Sequence, residues 1–382
     1  MPSQVHCCAW TASVVMALSI PTQGLIAAPP VTFTAVPLPP GTGASYAQAI
    51  SGDGSTVVGW AAPAPVGDNE RAFRWIVGDP PEFIGPAPAP GTFTIADAVS
   101  YDGSAVSGRT SGNAFRWSTT DGYQEITPPL GATRTNTASG ISADGGVVVG
   151  NIQTPDGPRG YRWTSAGGAM ALPLPDPQPN TNEGRVRAVS ADGDQVVGWS
   201  RSASGYHGYL WSATTGFEQT ALGLPGGQAS YASDISASGS VVIGRTEFAG
   251  NVIQGWAWSV GSGYTVLPQV PGFSTLNPTA ISGDGMTVVG AVYPTDYSDP
   301  FVWSKDTGTV LLRDLLTSNG VDLTGWTLGT ATDVSFDGTS ITGLGDYAGQ
   351  VRGWIVTIPS PGSLGGLGLG LALAATRRRR SI

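Results

Sequence analysis

Apolar and polar residues alternate in short runs along most of the chain, and one ten-residue pattern returns seven times. In "ISADGGVVVG", residues 141–150, an apolar run ends at Ser142, Asp144 and Gly145 form a turn dipeptide, and a β-branched run begins at Val147. The same pattern occurs elsewhere as "ISGDGSTVVG", "VSYDGSAVSG", "VSADGDQVVG", "ISASGSVVIG", "ISGDGMTVVG" and "VSFDGTSITG". Apolar runs joined by an Asp-Gly turn predict a β-hairpin.

A second pattern follows each predicted hairpin: an aromatic residue and, two positions later, a tryptophan in all units but the last. These segments read "RAFRW", "NAFRW", "RGYRW", "HGYLW", "QGWAW", "DPFVW" and "RGWIV". Residues i and i+2 of a strand share a face, so each segment predicts a strand with one buried aromatic face. A glycine-containing turn and a short apolar strand complete each unit. Four short strands in about 46 residues are typical of a β-propeller blade.

The two ends of the repeated region complement each other. Phe33 to Leu38 has the pattern of a fourth strand without the first three, and the last unit stops after its third strand, which carries Trp354. Pairing these strands would remove exposed sheet edges. We therefore expect an all-β fold, a seven-bladed β-propeller of four-stranded blades whose ring is closed by the N-terminal strand joining the last blade. A β-solenoid is the main alternative, but it gives no reason for the complementary ends.

Both termini carry features of export. The N-terminal segment is mostly apolar from Cys7 onward and offers small residues for cleavage near Ala28, as a secretory signal peptide does, although no Lys or Arg precedes Cys7. The C-terminal segment has a Gly/Leu/Ala run that is too short for an ordinary membrane-spanning helix, followed by four arginines. We therefore predict a signal peptide at 1–28, a propeller at 29–359 and a sorting tail at 360–382.

The tail resembles the PEP-CTERM sorting signal of exported bacterial proteins. Its Pro359-Ser360-Pro361 stands where that family has Pro-Glu-Pro, so serine replaces the glutamate, and the apolar run and arginine cluster follow. The resemblance implies transient membrane anchoring through the tail, cleavage by a sorting protease, and then release or surface attachment. We expect an exported protein that is extracellular or at the cell surface after tail processing.

The units over residues 31–358 resemble the HAF-type extracellular repeats of bacterial proteins. In those repeats an aromatic-x-Trp strand is followed by a Gly turn and then by an Ala-x-x-Ile-Ser, Asp-Gly, Val-Val-Gly stretch. The longer segment that carries Gly325 and Trp326 also resembles the way such arrays end. The resemblance implies export and architecture, and it implies no reaction.

Composition narrows the classes of partner. Charged residues make up 12% of the chain and Lys305 is the single lysine, whereas a nucleic-acid binder needs a basic stripe. We therefore expect no nucleic-acid partner. Removing the four tail arginines from 18 basic residues leaves 14 against 27 acidic ones, a net charge of −13. Such a surface favours a neutral polysaccharide or an envelope protein over anionic polymers.

The candidate metal ligands and catalytic groups are sparse. Both cysteines, Cys7 and Cys8, lie in the predicted signal peptide, and His207 is the only histidine beyond it, which excludes a Cys/His zinc site. A calcium loop concentrates several oxygens, whereas each repeated turn supplies at most one carboxylate, which stabilises such turns through local hydrogen bonds. The turn residues are Asp53, Asp102, Asp144, Asp192, Ser238, Asp284 and Asp337. We expect no metal and no cofactor, and a framework role for His207.

Recognition is expected in the loops after the second and fourth strands, because these vary in length on a rigid scaffold. Trp60 and Trp199 stand at the same place, directly after the Val-Val-Gly stretch. Exposed aromatic rings stack on the apolar faces of sugars. The candidate ligand-binding residues are Trp60, Trp199, Tyr206, Tyr293, Tyr297 and Trp326. The alternative is that these rings pack between blades.

Together these features predict a non-catalytic binding or structural module in the cell envelope or extracellular matrix, with polysaccharide as a candidate ligand. The alternative is a carbohydrate-active enzyme, a glycoside hydrolase or lyase, that uses paired carboxylates. Carboxylates outside the turns include Asp68, Glu70, Asp97, Glu183, Asp234, Glu247 and Asp296. Their spacing selects no pair. A cluster of two or three at one mouth of the ring would favour the enzyme.

Overall fold

The computed structural model describes residues 30–63, 69–177, 183–293 and 298–358. These residues form 28 β-strands and one short α-helix. The predicted signal peptide and sorting tail lie outside the described residues. Within the described ranges, no helix is long and apolar enough to cross a membrane.

Apart from β1 (Thr32–Ala35), the strands follow one another along the chain in antiparallel units of four. Unit one consists of β2 (Thr42–Ile50), β3 (Thr56–Pro63), β4 (Arg71–Ile76) and β5 (Glu82–Phe83). Unit two consists of β6 (Thr94–Val99), β7 (Ala105–Thr110), β8 (Ala114–Ser118) and β9 (Gly122–Glu125). Unit three consists of β10 (Arg134–Ile141), β11 (Val147–Thr154), β12 (Gly157–Thr164) and β13 (Gly168–Ala171).

The next three units repeat this order. Unit four consists of β14 (Gly184–Val189), β15 (Gln195–Ser202), β16 (Gly205–Ser212) and β17 (Gly216–Leu222). Unit five consists of β18 (Ala229–Ile235), β19 (Val241–Phe248), β20 (Val252–Ser259) and β21 (Gly263–Val266). Unit six consists of β22 (Thr275–Ile281), β23 (Thr287–Tyr293), β24 (Asp299–Ser304) and β25 (Gly308–Leu311). Units five and six share one sheet through a single parallel bridge between Ile253 and Thr275.

Unit seven takes its fourth strand from the start of the chain. It consists of β26 (Trp326–Val334), β27 (Ser340–Tyr347), β28 (Gln350–Thr357) and β1. β1 runs antiparallel to β28, with Thr32 opposite Thr357 and Ala35 opposite Trp354. The outer side of β28 is thereby hydrogen-bonded rather than left as an open edge.

A helix, α1 (Leu312–Ser318), lies between units six and seven, in the longer segment that leads to Gly325 and Trp326. Its buried side chains are Leu312, Leu315 and Leu316. This i, i+3, i+4 spacing is the signal of a helix with one apolar face. The helix is short because Gly320 follows with a φ of +82°.

The first strands of the units surround a common cavity. Each first strand contacts the first strand of the following unit, and β26 of unit seven contacts β2 of unit one. Side chains reinforce this last contact. Asp333 Oδ2 accepts the N–H of Ile50 at 2.9 Å, and Thr332 Oγ1 donates to the carbonyl of Ala47 at 3.1 Å.

The Asp-Gly turn has a recurring hydrogen-bond arrangement. In unit three, Ser142 Oγ donates to Asp144 Oδ1 at 2.6 Å, and that oxygen also accepts the N–H of Gly146 at 2.8 Å. Ser142 Oγ accepts the N–H of Val147 at 2.9 Å. The hydrogen bond from Ser142 holds the pKa of Asp144 below its usual range. Five other turns repeat the Ser-to-Asp bond, with aspartates Asp53, Asp102, Asp192, Asp284 and Asp337.

The glycine of the turn is required for two reasons. Gly145 has a φ of +70°, in the left-handed region that side chains disfavour. A Cβ at Gly145 would also lie 2.5 Å from the Cβ of Ala105, which belongs to unit two. The turn of one unit therefore sits directly on the second strand of the unit before it.

Backbone hydrogen bonds also join the turns to one another. They run from Asp53 N to Tyr101 O, Tyr101 N to Ala143 O, Ala143 N to Ala191 O, Ala191 N to Ala237 O, Ala237 N to Gly283 O, Asp284 N to Phe336 O and Phe336 N to Gly52 O, at 2.8 to 3.1 Å. The last bond joins unit seven to unit one. The hairpin pattern thus serves contacts between units as well as the turn itself, which explains why it recurs.

The core lies mainly between neighbouring units. The first aromatic residue of each aromatic-x-Trp strand is buried: Phe73, Phe115, Tyr161, Tyr209, Trp256, Phe301 and Trp354. One cluster joins Ala49 and Val58 of unit one to Phe115 of unit two. Burying each such ring contributes roughly 2–3 kcal/mol. A single unit could not bury both of its faces, so the units stabilise one another.

Candidate functional site

A β-bulge interrupts every first strand near its end. In unit four the register of β14 against β15 shifts between Val186 and Ala188, and in unit one that of β2 against β3 shifts between Ala47 and Ala49. A bulge leaves one residue unpaired and re-aims its side chain. The residues at these shifts that line the common cavity are Gln48, Asp97, Ser139, Arg187, Ser233, Thr279 and Thr332.

We call this space the inner cavity. Its volume is about 450 Å³, and its lining is mainly polar side chains from all seven units. Four arginines face it: Arg109, Arg185, Arg187 and Arg245. The whole chain has a formal net charge of −9, so the inner cavity concentrates positive charge within an acidic protein.

One of these arginines is matched by a buried carboxylate. Arg109 Nη1 donates to Asp97 Oδ1. Burial raises the pKa of Asp97 to about 6, although the charge of Arg109 opposes that rise. Asp97 Oδ2 has no hydrogen-bond partner among the described residues. This side of the cavity therefore carries little net charge near neutral pH.

The opposite wall, between units four and five, holds three guanidinium groups. Arg185 Nε lies 3.5 Å from Glu183 Oε1, and Arg245 Nη2 lies 3.4 Å from Glu247 Oε1. Arg187 lines the cavity with these two pairs and has no ion pair among the described residues. Surrounding protein lowers the pKa of Arg187, and the charges of Arg245 and Arg185 lower it further.

Beside this wall lies an aromatic cleft formed by Trp199, Tyr206 and Tyr231. Its volume is about 290 Å³, and it shares Arg187, Ser233 and Arg245 with the inner cavity. The Tyr206 and Tyr231 rings are stacked at 5.8 Å and 28°. The Trp199 ring stands edge-on to both, at 5.3 and 5.5 Å.

Charged groups hold the rings of the aromatic cleft in place. The Arg245 guanidinium lies 4.8 Å from the centroid of Tyr231, and that of Arg185 lies 5.7 Å from the centroid of Trp199. Tyr206 donates from its hydroxyl to Glu183 Oε2 at 3.3 Å. These cation–π contacts and the hydrogen bond stabilise the cleft and keep the arginines beside it.

The structure brings together two of the six predicted ligand-binding residues, Trp199 and Tyr206. Trp60 stacks on Tyr46 at 3.6 Å and 8°, away from the cleft lining. Tyr293 is exposed at the end of β23. Tyr297 lies outside the described residues.

Trp326 belongs to a different place. It packs edge-on against Phe33 at 5.0 Å and contacts Tyr347 at 5.1 Å. It also lines a separate cavity of about 610 Å³ beside α1, together with Asp299 and Arg313. Its contact with Phe33 ties β1 to unit seven.

Sequence reasoning missed Tyr231, Arg187 and Arg245. Tyr231 lies on the first strand of the following unit, so its meeting with Trp199 depends on how units pack. Arg187 is the second residue of "VRAVS", in a segment whose pattern predicts a regular strand. The residue equivalent to Arg187 is polar in every unit, and this repeated polar position could have predicted the cavity lining.

Two of the candidate carboxylates, Asp97 and Asp234, line one cavity of about 210 Å³ together with Asp333, and such clustering favours the enzyme alternative. Each of the three binds a backbone group or an arginine. Asp234 Oδ2 accepts the N–H of Ile281 at 2.8 Å, as Asp333 Oδ2 accepts that of Ile50. Burial raises the pKa of Asp234 and of Asp333 to about 7. Among the remaining candidates, Glu183 and Glu247 contact arginines, while Asp68 and Asp296 lie outside the described residues.

Neither a metal centre nor a histidine site emerges beside the cavity. Over the part of the chain that the structure describes, no three His, Cys, Asp or Glu side chains group closely enough to hold a metal ion. His207 lies on the β15–β16 hairpin, where its Nε2 shares a hydrogen bond of 2.9 Å with Ser204 Oγ. That contact ties the histidine to the hairpin tip.

No protein-family model matches the sequence, and no curated protein is similar to it in sequence. Among solved structures, the fold is similar to an oligogalacturonate lyase from Vibrio parahaemolyticus, with 11% identity, 86% of this chain and 97% of that chain covered, and a TM-score of 0.57. It is also similar to the β-propeller domain of the Trilobed protease from Pyrococcus furiosus, with 11% identity, coverage of 83% and 95%, and a TM-score of 0.53.

TolB from Acinetobacter baumannii aligns with 13% identity and a TM-score of 0.47. The alignment covers 81% of this chain and 65% of the TolB chain. At identities this low, structural similarity concerns the fold and not the function. The four-stranded antiparallel sheets and the likeness to the Pyrococcus domain give this chain a β-propeller fold.

Proposed function

We propose that the chain is an exported, non-catalytic carbohydrate-binding module built on a closed seven-bladed propeller, with the aromatic cleft as its binding site. The observation that carries the proposal is the meeting of Trp199, Tyr206 and Tyr231 at an open cleft beside a polar cavity. A single aromatic ring exposed on a protein surface is common and does not indicate a binding site. Here three rings from two units line one space.

The closed ring rests on contacts between the two ends of the chain. β1 pairs with β28 in unit seven, and β26 contacts β2 of unit one. The bond from Phe336 N to Gly52 O completes the series that joins neighbouring turns. Closure matters for function because the cleft lies between two units, and a ring holds adjacent units at a fixed separation.

Export rests on the two terminal segments. The apolar N-terminal segment with small residues near Ala28 is typical of a signal peptide. The C-terminal layout resembles a PEP-CTERM signal, and the repeats resemble HAF-type extracellular repeats. We place the mature protein at the cell surface or in the extracellular matrix, where extended polysaccharides are abundant ligands.

Carbohydrate suits the chemistry of the cleft. A sugar ring presents C–H groups on one face, which pack on aromatic rings, and hydroxyl groups at its edge, which need hydrogen-bond partners. Trp199 and Tyr231 offer ring surface, while Ser233 and Arg245 offer polar groups at the same cleft. The shared lining lets an extended chain pass from the cleft into the inner cavity.

The partners that the nearby carboxylates already have support a non-catalytic role. Asp234 and Asp333 accept backbone hydrogen bonds, and Asp97 accepts from Arg109. An inverting or retaining pair must face one scissile bond from two sides. The alternative, a glycoside hydrolase or lyase, would use Asp97, whose raised pKa of about 6 suits an acid.

The test is retention of the full chain on a panel of polysaccharides, with polymer length measured before and after incubation. We expect retention with unchanged length. Trp199→Ala should weaken binding about tenfold or more, as loss of a central aromatic contact does. The matched control is Trp60→Ala, because Trp60 holds the same position in unit one but lies outside the cleft. Shortened polymer would establish the enzyme instead, and equal effects of the two variants would exclude the cleft.

A further inference from the structure

The arginine group between units four and five carries an unmatched positive charge. Glu183 faces Arg185 and Glu247 faces Arg245, at 3.5 and 3.4 Å. Arg187 forms no ion pair among the described residues, although Asp97, Asp234 and Asp333 line a cavity with it. The charges of the two other guanidiniums lower its pKa in addition to burial. The group therefore has three cations and two anions.

The backbone creates this arrangement. Arg185 and Arg187 are two positions apart on β14, where the register shifts between Val186 and Ala188. Arg185 lies opposite Trp199, while Arg187 falls in the unpaired position and lines both the inner cavity and the aromatic cleft. Arg245 approaches from β19 of the next unit. A strand without the bulge would not present Arg187 in the same way.

Holding three guanidiniums together costs free energy that a bound anion offsets. Burial lowers the pKa of Arg187, and the charges of Arg245 and Arg185 lower it further, but Arg187 stays protonated because arginine titrates far above neutral pH. A carboxylate that accepts from Arg187 would replace repulsion by paired, charge-assisted hydrogen bonds. The planar guanidinium matches the two oxygens of a carboxylate.

We propose that Arg187, flanked by Arg185 and Arg245, binds the carboxylate of a uronic-acid residue in a polysaccharide. This inference rests on the proposed function, since the aromatic cleft would hold a sugar ring of the same chain. An acidic ligand replaces the neutral ligand that the net charge suggested. The cavity wall that holds the three arginines is positively charged, whereas the chain as a whole is negatively charged. Arg187 and Arg245 line both the cleft and the inner cavity, so one ligand touches the rings and the cation together.

The experiment measures binding of the full chain to a uronic-acid hexasaccharide, to its fully methyl-esterified form and to inorganic phosphate. Methyl esters keep the sugar rings and remove the charge. We expect the charged oligosaccharide to bind roughly ten- to a hundredfold more tightly than the ester, which is the range of one or two charge-assisted hydrogen bonds. Added salt should weaken the charged form and leave the ester unaffected.

Arg187→Gln should reduce the affinity for the charged form to that for the ester. The matched control is Lys305→Gln, which removes the same charge from an exposed turn. Removing Arg187 also relieves repulsion, so the variant should unfold at the same denaturant concentration as the wild type or a higher one. That result separates lost binding from a folding defect.

The outcomes distinguish the two proposals. Equal binding of both oligosaccharides, with no effect of Arg187→Gln, would overturn the carboxylate site and leave the carbohydrate module standing. Binding of neither oligosaccharide would overturn the carboxylate site, and only a lack of retention on the whole polysaccharide panel would overturn the carbohydrate module as well. Phosphate that binds as tightly as the charged oligosaccharide, without dependence on Trp199, would show a simple anion site and overturn the link to a sugar.

Discussion

The backbone N–H of Phe336 donates a hydrogen bond of 2.8 Å to the carbonyl of Gly52. Each residue follows the serine that opens its Asp-Gly turn, one in unit seven and the other in unit one. A Cβ at Gly52 would lie 2.3 Å from Cδ2 of Tyr101, which belongs to unit two. The Tyr101 ring in turn meets the Phe336 ring edge-on at 5.6 Å. Because Gly52 has no side chain, Tyr101 of unit two and Phe336 of unit seven can contact each other beside the turn of unit one.

Replacing that glycine should destabilise the fold. We expect Gly52→Ala to lower the free energy of unfolding by about 1–3 kcal/mol, because the added methyl group overlaps the Tyr101 ring. The double variant with Tyr101→Ala should recover most of that loss in denaturant titrations followed by tryptophan fluorescence. Ala143 stands at the same place in unit three, so the position itself admits a Cβ. Additive losses in the double variant would mean that the ring is not the cause.

A substitution in the Asp-Gly-type turn of unit five should stabilise the fold. Its Ser238 replaces the usual aspartate, and Ser240 N reaches Ser238 Oγ only at 3.4 Å, against 2.9 Å from Met286 N to Asp284 Oδ1 in the sixth turn. Ser238→Asp should therefore raise the free energy of unfolding by about 0.5–1.5 kcal/mol, since a carboxylate can accept from both the serine and the backbone.

The reciprocal change provides the control for that turn. Asp284→Ser should lower the free energy of unfolding by a similar amount, measured from the denaturant midpoint at an unchanged slope. A stabilising Ser238→Asp together with a destabilising Asp284→Ser would establish that the aspartate acts locally. Loss of stability in Ser238→Asp would contradict the prediction.

The two buried aspartates beside the inner cavity should make stability depend on pH. Burial raises the pKa of Asp234 and Asp333 to about 7, against about 3.9 in an unfolded chain. Between those values the folded state binds more protons than the unfolded state. Stability therefore falls as pH rises from about 4 to about 7 and is level above that. Urea titrations should show a loss of at least about 1 kcal/mol between pH 5 and pH 8.

Two variants test whether the buried aspartates cause that pH dependence of stability. Asp333→Asn cannot ionise, so its profile should be flatter than that of the wild type, whatever its absolute stability. Asp337→Asn serves as the control, because the pKa of Asp337 is lowered and its titration lies below this window. A wild-type profile that rises between pH 5 and pH 7 would contradict the raised pKa values.

Much of the fold follows from short-range signals in the sequence. The Asp144-Gly145 dipeptide between β-branched runs predicts a hairpin, and β10 and β11 flank it in the structure. The aromatic-x-Trp pattern predicts a strand with a buried face, and Tyr161 and Trp163 are buried in β12. These signals work because turn geometry and strand periodicity are local properties.

The site was predictable only in part, because it depends on two non-local features. Trp199 and Tyr206 stood out as aromatic residues near loops of one unit. Tyr231 joins them from the next unit, and only the packing of units sets that distance. Arg187 faces the cavity because a bulge breaks the alternation that sequence patterns assume. Trp60 shares its position with Trp199, yet Tyr46 opposes it where Arg185 opposes Trp199.

The pairing of β1 with β28 also determines how the module would respond to a mechanical load. Thr32 lies opposite Thr357, so the two ends of the propeller leave from neighbouring points on its rim. A pull on the chain beyond Thr357 loads β28 on both sides, through its four-residue ladder with β1 and its eight-residue ladder with β27. If the chain were tethered there and a polymer held at the cleft, both ladders of β28 would resist drag on that polymer. The force at which these two ladders open would then limit how firmly a tethered copy could hold a polymer.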